Sequence, residues 1–149
     1  MIVVYFAALL GVAALAQTKA DMTPTWTDPA TGLMWARNDN GIVNWQKADM
    51  TWQMAANYCQ NLSLGSYSGW RLPTIDELAA IYDKTQNDGT WRHWHIKGGI
   101  QISGWSWSNS AGNASGEAWA FLFFVGGRTS TPLGYFGGGR ALCVRRSGE

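Results

Sequence analysis

Charge is scarce in this chain: of 149 residues only 14% are charged, eleven basic and ten acidic, for a formal net charge of +1. The charges are scattered singly. No basic stripe is present to follow a nucleic-acid backbone, and no acidic run forms a solvating tail. Histidine is scarcer still, with His93 and His95 as the whole supply. A His-x-His pair can present two imidazoles on one side of a strand, but zinc wants a third ligand and the sequence offers no convincing one nearby. Between Lys84 and Glu117 the only carboxylates are Asp88 and Glu117, too few oxygens for a dedicated calcium site. No metal and no cofactor is therefore expected. Cysteine is limited to Cys59 and Cys143. Neither belongs to a local Cys/His cluster, so the pair reads as one disulfide, closing a loop whose cross-link would remove about 4–5 kcal/mol of unfolded-chain entropy.

Long apolar runs are also missing, with one exception at the start. Ile2 to Leu15 is apolar but short for a membrane span, and Ala14-Leu15-Ala16 has the small-x-small form of a signal-peptidase site. Residues 1–16 are read as a signal peptide, although no Lys or Arg precedes the run. Residues 17–24 are a small, polar leader, and 25–146 a single domain. The expected location is secreted, periplasmic or cell-surface, with no stable membrane span once the signal is removed.

Tryptophan and glycine are abundant, at ten and eighteen residues. So many indoles in a small domain imply an aromatic core, a ligand surface, or both. So much glycine implies tight turns and irregular loops.

The stretch that organises the chain is Gly69-Trp70-Arg71-Leu72-Pro73-Thr74. Pro73 disfavours the helical region for Leu72, which stops any preceding helix. Thr74 with Glu77 three positions later is a capping box and starts the next one. Trp70, Arg71, Pro73, Thr74 and Glu77 are thus expected to be structural, with Arg71 paired to a buried carbonyl or carboxylate. Upstream, Trp52, Ala55, Ala56, Cys59 and Leu62 recur at helical spacing over 52–62. Downstream, a helix is expected from Ile75 to about Asp83.

The remaining pattern is β. Asp28-Pro29-Ala30-Thr31-Gly32 is a turn that makes 25–37 a hairpin. Asn38 to Asp49 reads as polar loop interrupted by Trp45, and Lys84 to Gly104 as a long irregular segment. Strands are expected at 105–110, 118–125, 128–131 and 140–145, with Gly126-Gly127 as a hairpin turn. Hairpin, two helices, long loop and meander define an α+β fold of two short helices on small antiparallel sheets. Trp26, Trp35, Trp52, Trp70 and Trp119 are assigned to the core. Trp91 and Trp94 are expected to present solvent-accessible indoles.

Asp28-Pro29-Ala30-Thr31-Gly32-Leu33-Met34-Trp35, Thr51-Trp52 with Ala55 and Cys59, Trp70-Arg71-Leu72-Pro73-Thr74 with Glu77-Leu78, Trp107-Ser108, and Cys143-Val144-Arg145 follow one another in this chain. In that order they resemble the Lcl C-terminal domain family, named for a collagen-like bacterial adhesin. The resemblance covers about residues 25–146 and implies a C-type lectin-like fold. It also implies a bridge from the first helix to the last strand, where Cys59 and Cys143 lie. Such folds carry several functions, so the fold alone decides none of them.

The Glu-Pro-Asn or Gln-Pro-Asp loop and the Trp-Asn-Asp strand of calcium-dependent lectins are missing; Trp107-Ser108-Asn109 is a partial echo. Formylglycine-generating oxidases share the fold, but bridged cysteines offer no reactive thiolate. The favoured reading is a non-catalytic, adhesin-like module that recognises an extracellular glycan or protein without calcium. Its candidate ligand-binding residues are Trp91, Arg92, His93, Trp94, Trp105, Asn109, Arg128 and Tyr135, aromatic platforms with adjacent donors. Alternatives are a self-assembling envelope or filament subunit and a hypervariable lectin-like receptor-binding protein.

Overall fold

A computed structural model describes residues 23–149; the expected signal peptide and most of the leader lie outside them. Strand β1 (Thr25–Thr27) and strand β2 (Leu33–Ala36) form the expected hairpin, with Trp26 opposite Trp35. Its turn is closed by Asp28, whose side chain accepts from the Ala30 amide at 3.0 Å and whose carbonyl accepts from Gly32 N–H at 2.8 Å. Gly32 has φ +72°, which explains glycine there.

Helices α1 (Asn40–Val43), α2 (Trp52–Gln60) and α3 (Ile75–Ala80) follow, with a 3₁₀ turn at Trp45–Lys47 between the first two. Both expected helices form, and both end earlier than their apolar periodicity. Leu62 N–H turns back to the Cys59 carbonyl at 3.1 Å, closing α2. After α3, the Ile81 and Tyr82 amides make similar tight bonds, and the Ile81 carbonyl is taken by Lys97 N–H at 3.0 Å. Local i→i−3 bonds thus tighten both helix ends, and after α3 a tertiary bond takes a carbonyl that another helical turn would have used.

Strands β3 (Trp105–Ala111), β4 (Glu117–Leu122), β5 (Gly127–Pro132), β6 (Gly139–Arg140) and β7 (Val144–Arg146) complete the chain. One sheet has the order β1-β2-β7; the other has the order β5-β4-β3-β6, with β6 parallel to β3. The architecture is α+β. The expected last strand, 140–145, is in fact two. Gly139 and Arg140 end one sheet, Ala141 to Cys143 cross over fully buried, and Val144 enters the other sheet beside Trp35. The strand expected at 118–125 stops at Leu122, because Val125 and Gly126 amides fold back onto the Leu122 carbonyl, leaving Phe124 and Val125 exposed.

The core has two clusters, and period-two alternation divides side chains between them. Met34 and Ala36, Ala118 and Ala120, and Ala141 and Cys143 face the cluster around Cys59, Trp70 and Trp107. Trp35, Phe121 and Phe123, and Leu142 and Val144 face the cluster around Leu78, Ile81 and Ile100. The 84–104 segment also contributes to that second cluster through Trp94, Ile96, Ile100 and Ile102. Trp35 and Trp70 are core as expected, whereas Trp26, Trp52 and Trp119 are only half-buried at its margin.

Cys59 and Cys143 form the disulfide, 84 residues apart in sequence. Beside it the Trp70–Thr74 stretch joins both helices to the last strand. Arg71 exchanges backbone hydrogen bonds with Val144 at 2.9 Å. Its guanidinium makes two 2.8 Å bonds to the Glu77 carboxylate. Glu77 also accepts from Thr74 N–H at 2.8 Å, and Thr74 Oγ1 accepts from Glu77 N–H at 3.1 Å. Partial burial pushes the Glu77 carboxyl up, but these bonds outweigh it and hold it below the ordinary value.

Candidate functional site

The candidate residues occupy separate places. Trp91 is 81% exposed, and Arg92 lies over its ring at 4.6 Å. With Trp94 and Phe124 they line a shallow pocket of about 350 Å³. Trp94 departs from the expected exposure. It is 4% exposed and packs edge-on against Phe124 at 6.1 Å between centroids. His93 explains the inversion: at φ +53° it turns the chain so that its own ring stays outside while Trp94 enters the core. His93 Nδ1 accepts from Asn87 Nδ2 at 2.9 Å, and His95 Nδ1 donates to the Gln86 carbonyl at 2.6 Å. The two imidazoles therefore serve separate loop contacts.

Trp105 and Tyr135 meet elsewhere, with ring centroids 6.1 Å apart, along a hollow of about 270 Å³ edged by Leu122 and Thr129 to Pro132. Trp105 Nε1 donates to the Gly137 carbonyl at 3.2 Å, tying β3 to the glycine-rich loop. Arg128 covers the Trp119 ring at 5.3 Å and approaches Asp76 at 3.9 Å, so its charge serves a platform beside α3. Asn109 is exposed farther along β3, its amide bound to the Pro73 carbonyl at 2.8 Å. Register slips between Trp107 and Ala111, which separates Asn109 from the regular alternation of Trp105 and Trp107.

A concavity larger than either of these was not among the sequence candidates. It is a cleft of about 720 Å³ lined by Trp45 to Met50, Met54, Phe136 and Arg140. Local capping builds its outer wall. Asp39 caps α1 by accepting from Ile42 N–H, and Asn44 caps the 3₁₀ turn by accepting from Gln46 N–H. The turn leaves the Trp45 indole 78% exposed. Asn40 fastens this wall to the core: its Nδ2 donates to the Lys47 and Ala48 carbonyls, and its Oδ1 accepts from Ala141 N–H at 2.7 Å. The glycine-rich loop also lines the cleft through Phe136, which is 52% exposed.

The floor is a polar relay. Arg140 Nη1 bonds Asp49 Oδ1 at 2.7 Å, Arg140 Nε donates to Ser103 Oγ at 2.7 Å, and Ser103 Oγ donates to Asp39 Oδ1 at 2.9 Å. Asp49 Oδ1 also accepts from Gly138 N–H at 3.1 Å, which anchors the loop. Asp39 additionally accepts from Ser103 N–H at 2.6 Å. Burial raises the Asp39 carboxyl above its ordinary value, against the lowering effect of its hydrogen bonds and of Arg140. Gly41 makes room for the relay, since a Cβ there would stand 2.1 Å from Ser103 Oγ. Signals for this site were present in sequence as Asp39 and Asn44 at cap spacing, Trp45 in a polar stretch, and Tyr135-Phe136 within glycines. Their convergence was not.

Residues 24–145 match the family model described as the Lcl C-terminal domain. The chain belongs to the Lcl C-terminal domain family. In this Lcl C-terminal domain the match begins just before β1 and runs into β7, so it takes in the clasp, the disulfide and the cleft alike. No curated protein sequence matches the chain significantly.

Proposed function

We propose that this Lcl C-terminal domain is an extracellular, non-catalytic binding module of C-type lectin-like kind. Its ligand, a glycan or a protein, is held without calcium, and the cleft between Trp45 and Phe136 is the principal contact surface. One observation carries the reading: two exposed aromatic side chains and an anchored polar ion pair line one cleft of about 720 Å³. Aromatic walls with a few fixed polar groups are the usual composition of a recognition site.

The lectin-like reading is supported by the pairing of the N-terminal hairpin with the last strand and by the bridge from α2 to the chain's end. The disulfide also supports an oxidising location. Commitment of both cysteines to that bridge favours binding over thiol-based oxidase chemistry. Among the described residues no helix is long and apolar enough to cross a membrane. The test is adhesion of the chain to bacterial cells and extracellular matrix, with and without chelator. Adhesion that survives chelator and is lost in a Trp45→Ala/Phe136→Ala double variant supports the reading; adhesion that the double variant retains overturns it.

A second reading is self-assembly into an envelope or filament subunit, favoured by the exposed apolar group of Trp91, Phe124 and Val125. Concentration-dependent sedimentation that disappears in Trp91→Ser would support it.

A further inference from the structure

We infer that the exposed aromatic tip formed by Trp91, Phe124 and Val125 is a membrane-contact site, which seats the domain peripherally on an anionic lipid bilayer. It uses none of the cleft's residues and goes beyond the binding reading above. Two loops build the tip. Trp91 is 81% exposed in the 84–104 segment, and Phe124 and Val125 are 49% and 59% exposed in the turn after β4. Backbone joins the loops, as His95 N–H donates to the Phe123 carbonyl at 3.1 Å while the Phe123 ring is fully buried. Large apolar side chains exposed singly are ordinary, but grouped at one tip they mark a protein or membrane contact.

Arg92 supplies the charge complementarity that points to lipid. Its guanidinium lies over the Trp91 ring at 4.6 Å and the Trp94 ring at 5.9 Å, and it meets no carboxylate among the described residues. A lipid phosphate would provide the missing anion, with the Arg92 stem lying along the indole. Tryptophan itself favours the headgroup level, where one side of the ring is wet and the other apolar. A stable protein interface draws on about 20–30 residues a side, and this tip offers far fewer around a shallow pocket. Fluid lipid closes around a projecting tip without needing a shaped complement.

The backbone of both loops is prepared for a drier medium. Asp88 N–H donates to the Trp94 carbonyl, Gly89 N–H to Asn87 Oδ1, and Thr90 N–H to Asp88 Oδ1. His93 N–H donates to the Thr90 carbonyl and Trp94 N–H to Asp88 Oδ1. In the second loop the Val125 and Gly126 amides both turn onto the Leu122 carbonyl. These donors stay satisfied when the tip enters the headgroup region, so their desolvation adds no cost. No helix of the described residues can cross a membrane, so the contact is peripheral.

The experiment is co-sedimentation of residues 17–149, the chain without its expected signal peptide, with vesicles of phosphatidylcholine alone or mixed with phosphatidylglycerol. The chain is expected to pellet with the mixed vesicles about fivefold more strongly than with phosphatidylcholine, the effect of one basic side chain at an anionic surface. Trp91→Ser should lower partition about fivefold or more, and Arg92→Gln should abolish the preference for anionic lipid. Both positions are exposed, and unchanged circular dichroism and thermal midpoint would show that the fold is kept. A native chain left in solution by both vesicles overturns the inference, as does a Trp91→Ser variant that binds as well as the native chain. Loss of vesicle binding in Trp45→Ala/Phe136→Ala would place the lipid contact in the cleft and overturn it too. If the chain pellets equally without vesicles, the tip serves self-assembly and the lipid contact falls, while ligand binding in the cleft is untouched.

Discussion

The Trp70–Thr74 clasp and the Trp45–Phe136 cleft use the same chemistry and complete it to different degrees. Each centres on an arginine–carboxylate pair at 2.7–2.8 Å beside aromatic side chains. In the clasp, Arg71 engages both Glu77 oxygens, and Glu77 also closes the capping box. The Trp70 indole is buried and donates to the Tyr67 carbonyl at 3.1 Å. In the cleft, Arg140 and Asp49 share one oxygen and leave the other to solvent, between exposed rings. A pair that satisfies itself holds structure together; a pair half-satisfied in a concavity is disposed toward a ligand.

The sharpest way to break this comparison is Trp70→Ala. It should cost about 3–5 kcal/mol of stability by urea unfolding, and the folded fraction should keep its ligand. Full stability with lost binding would place function in the clasp. Next in size, replacing Cys59 and Cys143 by alanine should cost about 2–5 kcal/mol, read by the same denaturation. Glu77→Gln removes the charged half of the Arg71 pair. With that arginine 37% exposed and screened by solvent, a loss of about 1–2 kcal/mol is expected. Trp45→Ala should change stability by less than about 0.5 kcal/mol while lowering ligand affinity, and a large loss of stability there would erase the contrast.

The two regions should also respond to acid in opposite senses. Glu77 has a folded value below its ordinary 4.5, so its contribution is present above 4.5 and is lost as pH falls through the lower, folded value. Asp39, behind the cleft floor, has a folded value above its ordinary 3.8. Its buried charge therefore costs stability above that raised value, and the cost is relieved as pH falls from there toward 3.8. Comparing unfolding free energies of the native chain and Asp39→Asn across this window should show the acid-side gain only in the native chain.

The clasp was legible because its determinants are close in sequence. Pro73 acts on its neighbour Leu72, and the capping box spans Thr74 to Glu77. The hairpin turn around Asp28 and Gly32 was legible for the same reason. The family resemblance from 25 to 146 rests on such local blocks, and the matched residues, 24–145, coincide with it closely. The cleft was not legible. Asp49 and Arg140 are 91 residues apart, and Ser103 lies 64 residues from Asp39. Trp94 was misread because solvent exposure depends on the left-handed turn at His93, which residue composition does not signal.

What the sequence determined by itself is the set of elements bounded by local chemistry: the turn, the caps, the helix break and the alternation that sorts side chains between two clusters. Tertiary structure alone decided that residues 140–145 divide between two sheets, that the candidate binding residues fall in separate places, and that Trp45 and Phe136 line one cleft with Asp49 and Arg140. The reason is range. Turns and caps act over a few residues of backbone, whereas a cleft exists only after non-local hydrogen bonds and core packing have brought distant segments together.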